Sequence, residues 1–203
     1  MTIHKTCQVV LACCLTVGAV VGILYGHGAS TRALQEQEFS PYVDEEGNIQ
    51  RPVDYKLRWS HIGGFAVASK EGETVSEIHD VYTQPESIEA FRRTGEFPDG
   101  AVLVKEVRET SADGLTTGHA AWSTNIKVWF VMVKDSTGRF PDNNIWGNGW
   151  GWALFEAGDP ETNVTTNFRT SCLGCHVPAQ ETDWIYIQGY PELAVPAVGT
   201  SDD

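Results

Sequence analysis

The sequence predicts an α+β fold, mainly an antiparallel β-sheet with short flanking helices. Runs rich in β-branched and aromatic residues recur at 78–82, 101–109, 122–134 and 150–155, at the spacing of hairpins. Turn residues separate them. Helical periodicity is confined to two short stretches, far too little for a four-helix bundle.

Taken in order, Glu36–Arg51 is polar and turn-rich, with Asp44-Glu45-Glu46-Gly47-Asn48, and leads into the domain. Pro52–Ile62 places Tyr55 and Trp59 four residues apart, the spacing of a short amphipathic helix. Ile78–Tyr82 reads as a strand. Pro85–Thr94 reads as a helix, with Thr83 as its cap, Pro85 and Glu86 in the first turn, Arg92-Arg93 in the last and Gly95 ending it. Phe97-Pro98-Asp99-Gly100 is a turn, because Pro fixes φ and Gly permits the reversal. Ala101–Glu109 and Trp122–Lys134 are the long strands, on either side of a polar loop at Asp113-Gly114. Asp135–Gly149 is a loop and Trp150–Phe155 a further strand. No internal repeat or low-complexity segment interrupts this order.

The chain has 203 residues, enough for one ordinary domain with its own core. Its formal net charge is −13, and every acidic residue lies at or after Glu36. So acidic a body argues against nucleic acid or an anionic membrane surface as partner and suits a basic redox partner. Residues 1–35 read as an export signal: Lys5 near the start, an apolar run over Cys7–Gly26, then small residues around Gly28–Ser30. The run is also long enough to serve as an uncleaved anchor. The expectation is a periplasmic domain over 36–203, exported by that signal.

Of five cysteines, Cys7, Cys13 and Cys14 lie in the signal, leaving Cys172 and Cys175, followed at once by His176. C-x-x-C-H is the attachment motif of haem c: two thiols add across the porphyrin vinyl groups, and the histidine becomes the axial iron ligand. Three readings compete with it. A thioredoxin-like pair does not require the histidine. Zinc needs four ligands, and no second Cys/His pair is present. A disulfide across so short a loop would constrain little. The expected cofactor is therefore one covalently bound haem c with iron on His176.

Only 27 residues follow His176, so the pocket must be built from preceding chain. Candidate sixth ligands are Met132, the only methionine beyond Met1, and His61, His79 and His119. None has a spacing that singles it out, which points to an open distal site able to bind small molecules. Strand alternation puts Lys105 on one face with Leu103 and Val107, while Glu106 lies on the other. A lysine among apolar neighbours must pair, react or snorkel to water. Phe130 and Met132 share a face, with Trp129, Val131 and Val133 opposite, and spacing does not say which face meets a haem.

The segments Val81-Tyr82-x-x-Pro85-Glu86-Ser87, Thr94–Gly100, Val102–Glu106 and Cys172–His176, with Asp54-Tyr55-x-x-Arg58-Trp59 before them, together resemble the cytochrome P-460 family. The resemblance spans roughly Val43 to Leu193. It implies a mainly antiparallel β fold with flanking helices, a homodimer, and a five-coordinate haem with His176 proximal. It also implies that Lys105 bonds to the porphyrin edge, and that hydroxylamine is oxidised to nitric oxide or nitrous oxide, with electrons passing to an acceptor cytochrome.

Two departures follow from the same resemblance. The family's distal carboxylate falls on Phe130, which cannot accept a proton, and a distal arginine is replaced by His79. Histidine can donate or accept near neutral pH and so compensates in part. Phenylalanine at that position resembles the sister group, cytochrome c′-beta, whose members bind nitric oxide or carbon monoxide without turnover. Three functions are thus expected to compete: an oxidoreductase of reactive nitrogen species, with Lys105, His79 and Phe130 at the catalytic site; a gas-binding cytochrome; and a simple electron carrier.

Overall fold

The computed structural model describes residues 39–194, and the signal read over 1–35 lies outside them. Seven antiparallel strands make one sheet: β1 (Ser60–Ala68), β2 (Val75–Thr83), β3 (Val102–Leu115), β4 (Gly118–Lys134), β5 (Trp146–Gly147), β6 (Trp150–Glu156) and β7 (Asp159–Asn163). Their order is β1-β2-β3-β4-β6-β5. Both β5 and β7 pair with β6, sharing the edge that β4 leaves open. Four short helices flank the sheet: α1 (Tyr55–Arg58), α2 (Pro85–Thr94), α3 (Phe168–Ser171) and α4 (Leu173–His176). The mainly antiparallel fold with short helices is the one the sequence predicts.

The middle of the sheet is buried on both faces. Val81, Leu103, Met132, Trp150 and Trp152 face one core, which α2 covers with Ile88 and Phe91 and the C-terminal segment with Phe168, Ile185 and Tyr190. Val102, Val104, Val131, Val133 and Phe155 face a second core closed by Ile49, Tyr55 and Trp146. A strand covered on both sides becomes a continuous apolar run, as Val102-Leu103-Val104 does.

Differences from the sequence reading have local causes. The helix expected over Pro52–Ile62 is the single turn Tyr55–Arg58, and the chain then enters β1. That strand escaped notice because Gly63-Gly64 interrupts its pattern. Gly63 has φ 134°, and a Cβ there would lie 2.1 Å from the carbonyl oxygen of Gly189, so the close approach of the C-terminal segment requires glycine. The expected polar loop at Asp113-Gly114 is strand. β3 and β4 continue as a two-stranded ribbon beyond Glu109, where β2 stops, and reverse only at Thr116-Thr117. No core adjoins this arm, so it lacks an apolar alternation and its stretch before Trp122 reads as loop. Thr83 does not cap α2. Its hydroxyl donates to the Val102 carbonyl at 2.8 Å, and Gln84 holds the cap position. Gly95 ends α2 in the left-handed conformation, as read.

Glu106 points away from Lys105, yet not into water: it is 1% exposed. Tyr55 donates to its Oε1, Lys56 pairs with the same oxygen at 2.5 Å, and Arg108 Nε donates to Oε2 at 2.8 Å. Burial pushes this carboxyl up, but the hydrogen bonds from Lys56, Tyr55 and Arg108 outweigh it and hold it below the ordinary glutamate range. A depressed carboxylate stabilises the fold above its unfolded pKa and loses that contribution as pH falls through the folded value. Glu106→Gln is accordingly expected to cost about 3 kcal/mol in urea unfolding at pH 7. The difference from wild type should shrink below pH 4, and equal stabilities at pH 7 would contradict this role for the carboxylate.

Candidate functional site

Cys172, Cys175 and His176 lie where α3 meets α4. Phe168 anchors this segment: it is buried, its ring stacks on Trp152 at 6.1 Å and 10°, and its carbonyl accepts the Cys172 N–H at 2.9 Å. The Asn167 side chain caps the Arg169 N–H at 2.9 Å and so starts the turn. One turn later the Cys175 N–H bonds the Cys172 carbonyl at 3.2 Å, which puts both thiols and the imidazole on consecutive steps of one short coil.

This segment roofs a cavity of about 230 Å³. The roof is Cys172, Cys175, His176, Ile185, Tyr186 and Tyr190, so the chain after His176, expected to contribute nothing, folds back to supply three of these residues. The floor is Val81, Leu103, Lys105, Phe130, Met132 and Trp152 from four adjacent strands. Register explains the floor. Val81, Lys105, Phe130 and Leu154 form one row across the sheet, and Thr83, Leu103, Met132 and Trp152 the next. Directly paired residues in antiparallel strands share a face. Of the two faces of β4 that spacing left open, the one bearing Phe130 and Met132 is the cavity face.

The chemistry of the donors suits a haem. His176 Nδ1 donates to the Trp184 carbonyl at 2.7 Å, which leaves Nε2 as the free ring nitrogen. Burial holds the imidazole below its ordinary pKa against the opposing pull of that hydrogen bond, so it is neutral at pH 7, the form that ligates iron. Its ring meets Trp152 edge-on at 4.8 Å. Burial, with Cys175 beside it, pushes the Cys172 thiol up to about 11. A redox-active C-x-x-C has its leading thiol pulled down instead. Among the described residues, no group of three His, Cys, Asp or Glu could hold a metal ion. An apolar slot with two thiols and one neutral imidazole in its roof fits an attached haem c.

Lys105 lies on the floor with its Nζ 4.4 Å from the centre of the Phe130 ring. Burial lowers its pKa, partly offset by Cys175, Glu77 and Cys172. The amine is thereby brought toward its unprotonated, nucleophilic form.

His79 does not line this cavity. It lies in an adjoining cleft of about 510 Å³ bounded by Phe65, Val67, Lys105, Tyr186 and Tyr190, with Lys105 and the two tyrosines common to both. His79 Nε2 is 3.0 Å from Glu77 Oε2, and Lys127 Nζ is 2.5 Å from Glu77 Oε1. Glu77 is held below the ordinary glutamate range, first by Lys127 and then by His79. Glu77 went unremarked in the sequence, although two residues apart on a strand is the spacing that places it beside His79. His61, an exposed residue paired with Asp80 at 3.0 Å, and His119, exposed on the ribbon, line neither space. Of the candidate sixth ligands, only Met132 reaches the cavity floor.

A family model described as cytochrome P460 matches residues 52–187. No curated protein matches the chain. Covalent attachment has a direct check: acid–acetone extraction of the purified protein should leave haem on the polypeptide, and its intact mass should exceed that of the chain by one haem. Complete release of haem into the solvent would exclude the thioethers.

Proposed function

The chain belongs to the cytochrome P460 family and is a c-type haem protein; on that premise we propose that it is a periplasmic oxidoreductase of reactive nitrogen compounds, hydroxylamine foremost. The observation that carries the reading is Lys105, a half-desolvated amine in the floor of the cavity that Cys172, Cys175 and His176 roof. Bound haem c supplies the redox-active iron. The chain's own residues bind, exclude water and move protons.

Conversion of hydroxylamine to nitric oxide releases three protons and three electrons, so the site needs a proton acceptor as well as an acceptor cytochrome. Phe130 cannot serve, and the cavity floor holds no carboxylate. His79 does so from the adjoining cleft. Because Glu77 is ionised, it accepts from His79 Nε2–H, which leaves the lone pair on Nδ1. Tyr186, Tyr190 and Lys105 form the boundary that the proton crosses. Phe130 and the apolar walls favour small, weakly hydrated substrates. The acidic body suits a basic electron acceptor, and the family resemblance implies a homodimer.

Phe130 favours a second reading, a gas-binding protein like cytochrome c′-beta, since an apolar floor leaves neutral diatomic gases unhindered. Met132 on the floor keeps a third, simple electron transfer, in view. One measurement separates the three. In the ferrous absorption spectrum, a Soret band far to the red of ordinary haem c indicates a Lys105 adduct and supports the enzyme. An ordinary high-spin band that shifts with carbon monoxide supports gas binding. A low-spin spectrum indifferent to carbon monoxide supports electron transfer.

Turnover has its own test. Hydroxylamine should reduce an added electron acceptor above the buffer rate, and Glu77→Gln should slow this roughly tenfold to a hundredfold. Absence of wild-type turnover would defeat the oxidoreductase reading. Turnover indifferent to Glu77→Gln would defeat only the proton route.

A further inference from the structure

Two residues in the C-terminal segment have backbones that L side chains seldom adopt. Asp183 has φ 56° and Trp184 φ 67°, and for a residue as bulky as tryptophan this is a true outlier. Conformations of this kind persist only when their surroundings over-determine them. The Trp184 carbonyl is the group that accepts His176 Nδ1–H at 2.7 Å.

What holds these two residues is a buried set of contacts from three other parts of the fold. Lys134, the last residue of β4, pairs its Nζ with Asp183 Oδ1; the two side chains are 9% and 6% exposed. Trp150 Nε1, on β6, donates to the Asp183 carbonyl at 3.0 Å and lies 3.3 Å from Oδ1. The Phe97 N–H, between α2 and β3, donates to Asp183 Oδ2 at 2.9 Å. On the chain's own side, the Ile185 N–H bonds the Thr182 carbonyl at 3.1 Å, and the Thr182 hydroxyl bonds the Ile185 carbonyl at 2.7 Å. Every polar group of the Asp183 side chain is thus spent on fixing its place against the sheet.

We propose that the Lys134–Asp183 ion pair is a positioning device for the axial histidine: it holds the Trp184 carbonyl in line with His176 Nδ1 and so sets how strongly the imidazole donates to the iron. A hydrogen bond from Nδ1–H to a fixed carbonyl raises the basicity of Nε2. A more basic imidazole favours ferric over ferrous iron. The ion pair, on the far side of the loop from the cavity, would then tune the reduction potential without touching the haem. Neither residue is in the cavity wall. The inference rests on His176 being the axial ligand and is independent of which nitrogen compound, if any, is turned over.

The test uses the full haem-loaded protein, wild type beside Lys134→Met and Lys134→Arg. The readouts are the iron–histidine stretching band of the ferrous form, by resonance Raman, and the midpoint potential. Lys134→Met should move the band to lower frequency and the potential upward, and Lys134→Arg, which keeps the cation, should return both toward wild type. If Lys134→Met does not retain haem, the paired substitution Lys134→Met with Asp183→Leu leaves no buried charge alone and is read in the same way. A changed melting temperature with band and potential unmoved, in whichever variant holds haem, would make the pair merely structural and overturn the proposal. Absence of any iron–histidine band in the wild type would overturn ligation by His176 instead.

Discussion

The pairing of Lys105 with Phe130 across β3 and β4 is the constraint on which the cavity depends. Side chains alternate along a strand, so a slip of one residue on either partner would exchange the faces. Glu106 and Trp129 would then meet the cavity, and Lys105 and Phe130 would enter the second core. Burial on both sides forbids the slip: Val102, Val104, Val131 and Val133 have no exposure to lose, and Glu106 already has three partners on its own face. The side that would hold a haem is thereby chosen by the packing of the side that would not.

Lys105 and Glu106, adjacent on β3, show how differently one strand treats its faces. Glu106 is buried with its charge, because Lys56, Tyr55 and Arg108 give it more than desolvation takes away. Lys105, next in sequence, receives no such pairing. An aromatic face stands over it and distant carboxylate and thiol groups help only partly, so its charged form is disfavoured. An inert anion and a reactive amine stand on adjacent residues because the sheet separates their surroundings.

Much of this could be read from the residues. Cys172, Cys175 and His176 announced themselves by spacing, and alternation alone put Lys105 with Leu103 and Val107 on the side that proves to face the cavity. Helix α2 was legible because its ends carry Pro85 and Gly95, residues whose backbone preferences are local. What escaped depends on partners far along the chain. β1 hides behind Gly63, whose reason for being glycine is Gly189. The ribbon beyond Glu109 looks like loop because it has no core to face. His79 was identified, but not its place in a neighbouring cleft, which the sheet's register determines. Asp183 carried no signal at all, since its role arises from Lys134, Trp150 and Phe97, brought together only by the fold.

The sheet and its roof also differ in how they can be assembled. From β1 to β4 each strand pairs with its neighbour in sequence, through short loops between β1 and β2 and between β3 and β4 and through α2 between β2 and β3, so this part of the floor closes at low entropic cost. The roof instead joins residues far apart, as Phe97 and Asp183 do across 86 positions. Contacts of long sequence separation form late in folding. Docking of Cys172-x-x-Cys175-His176 is therefore expected to follow the pairing of these strands. An attachment enzyme that must handle the thiols as an extended peptide has its window before that docking, which afterwards commits the segment to the folded state.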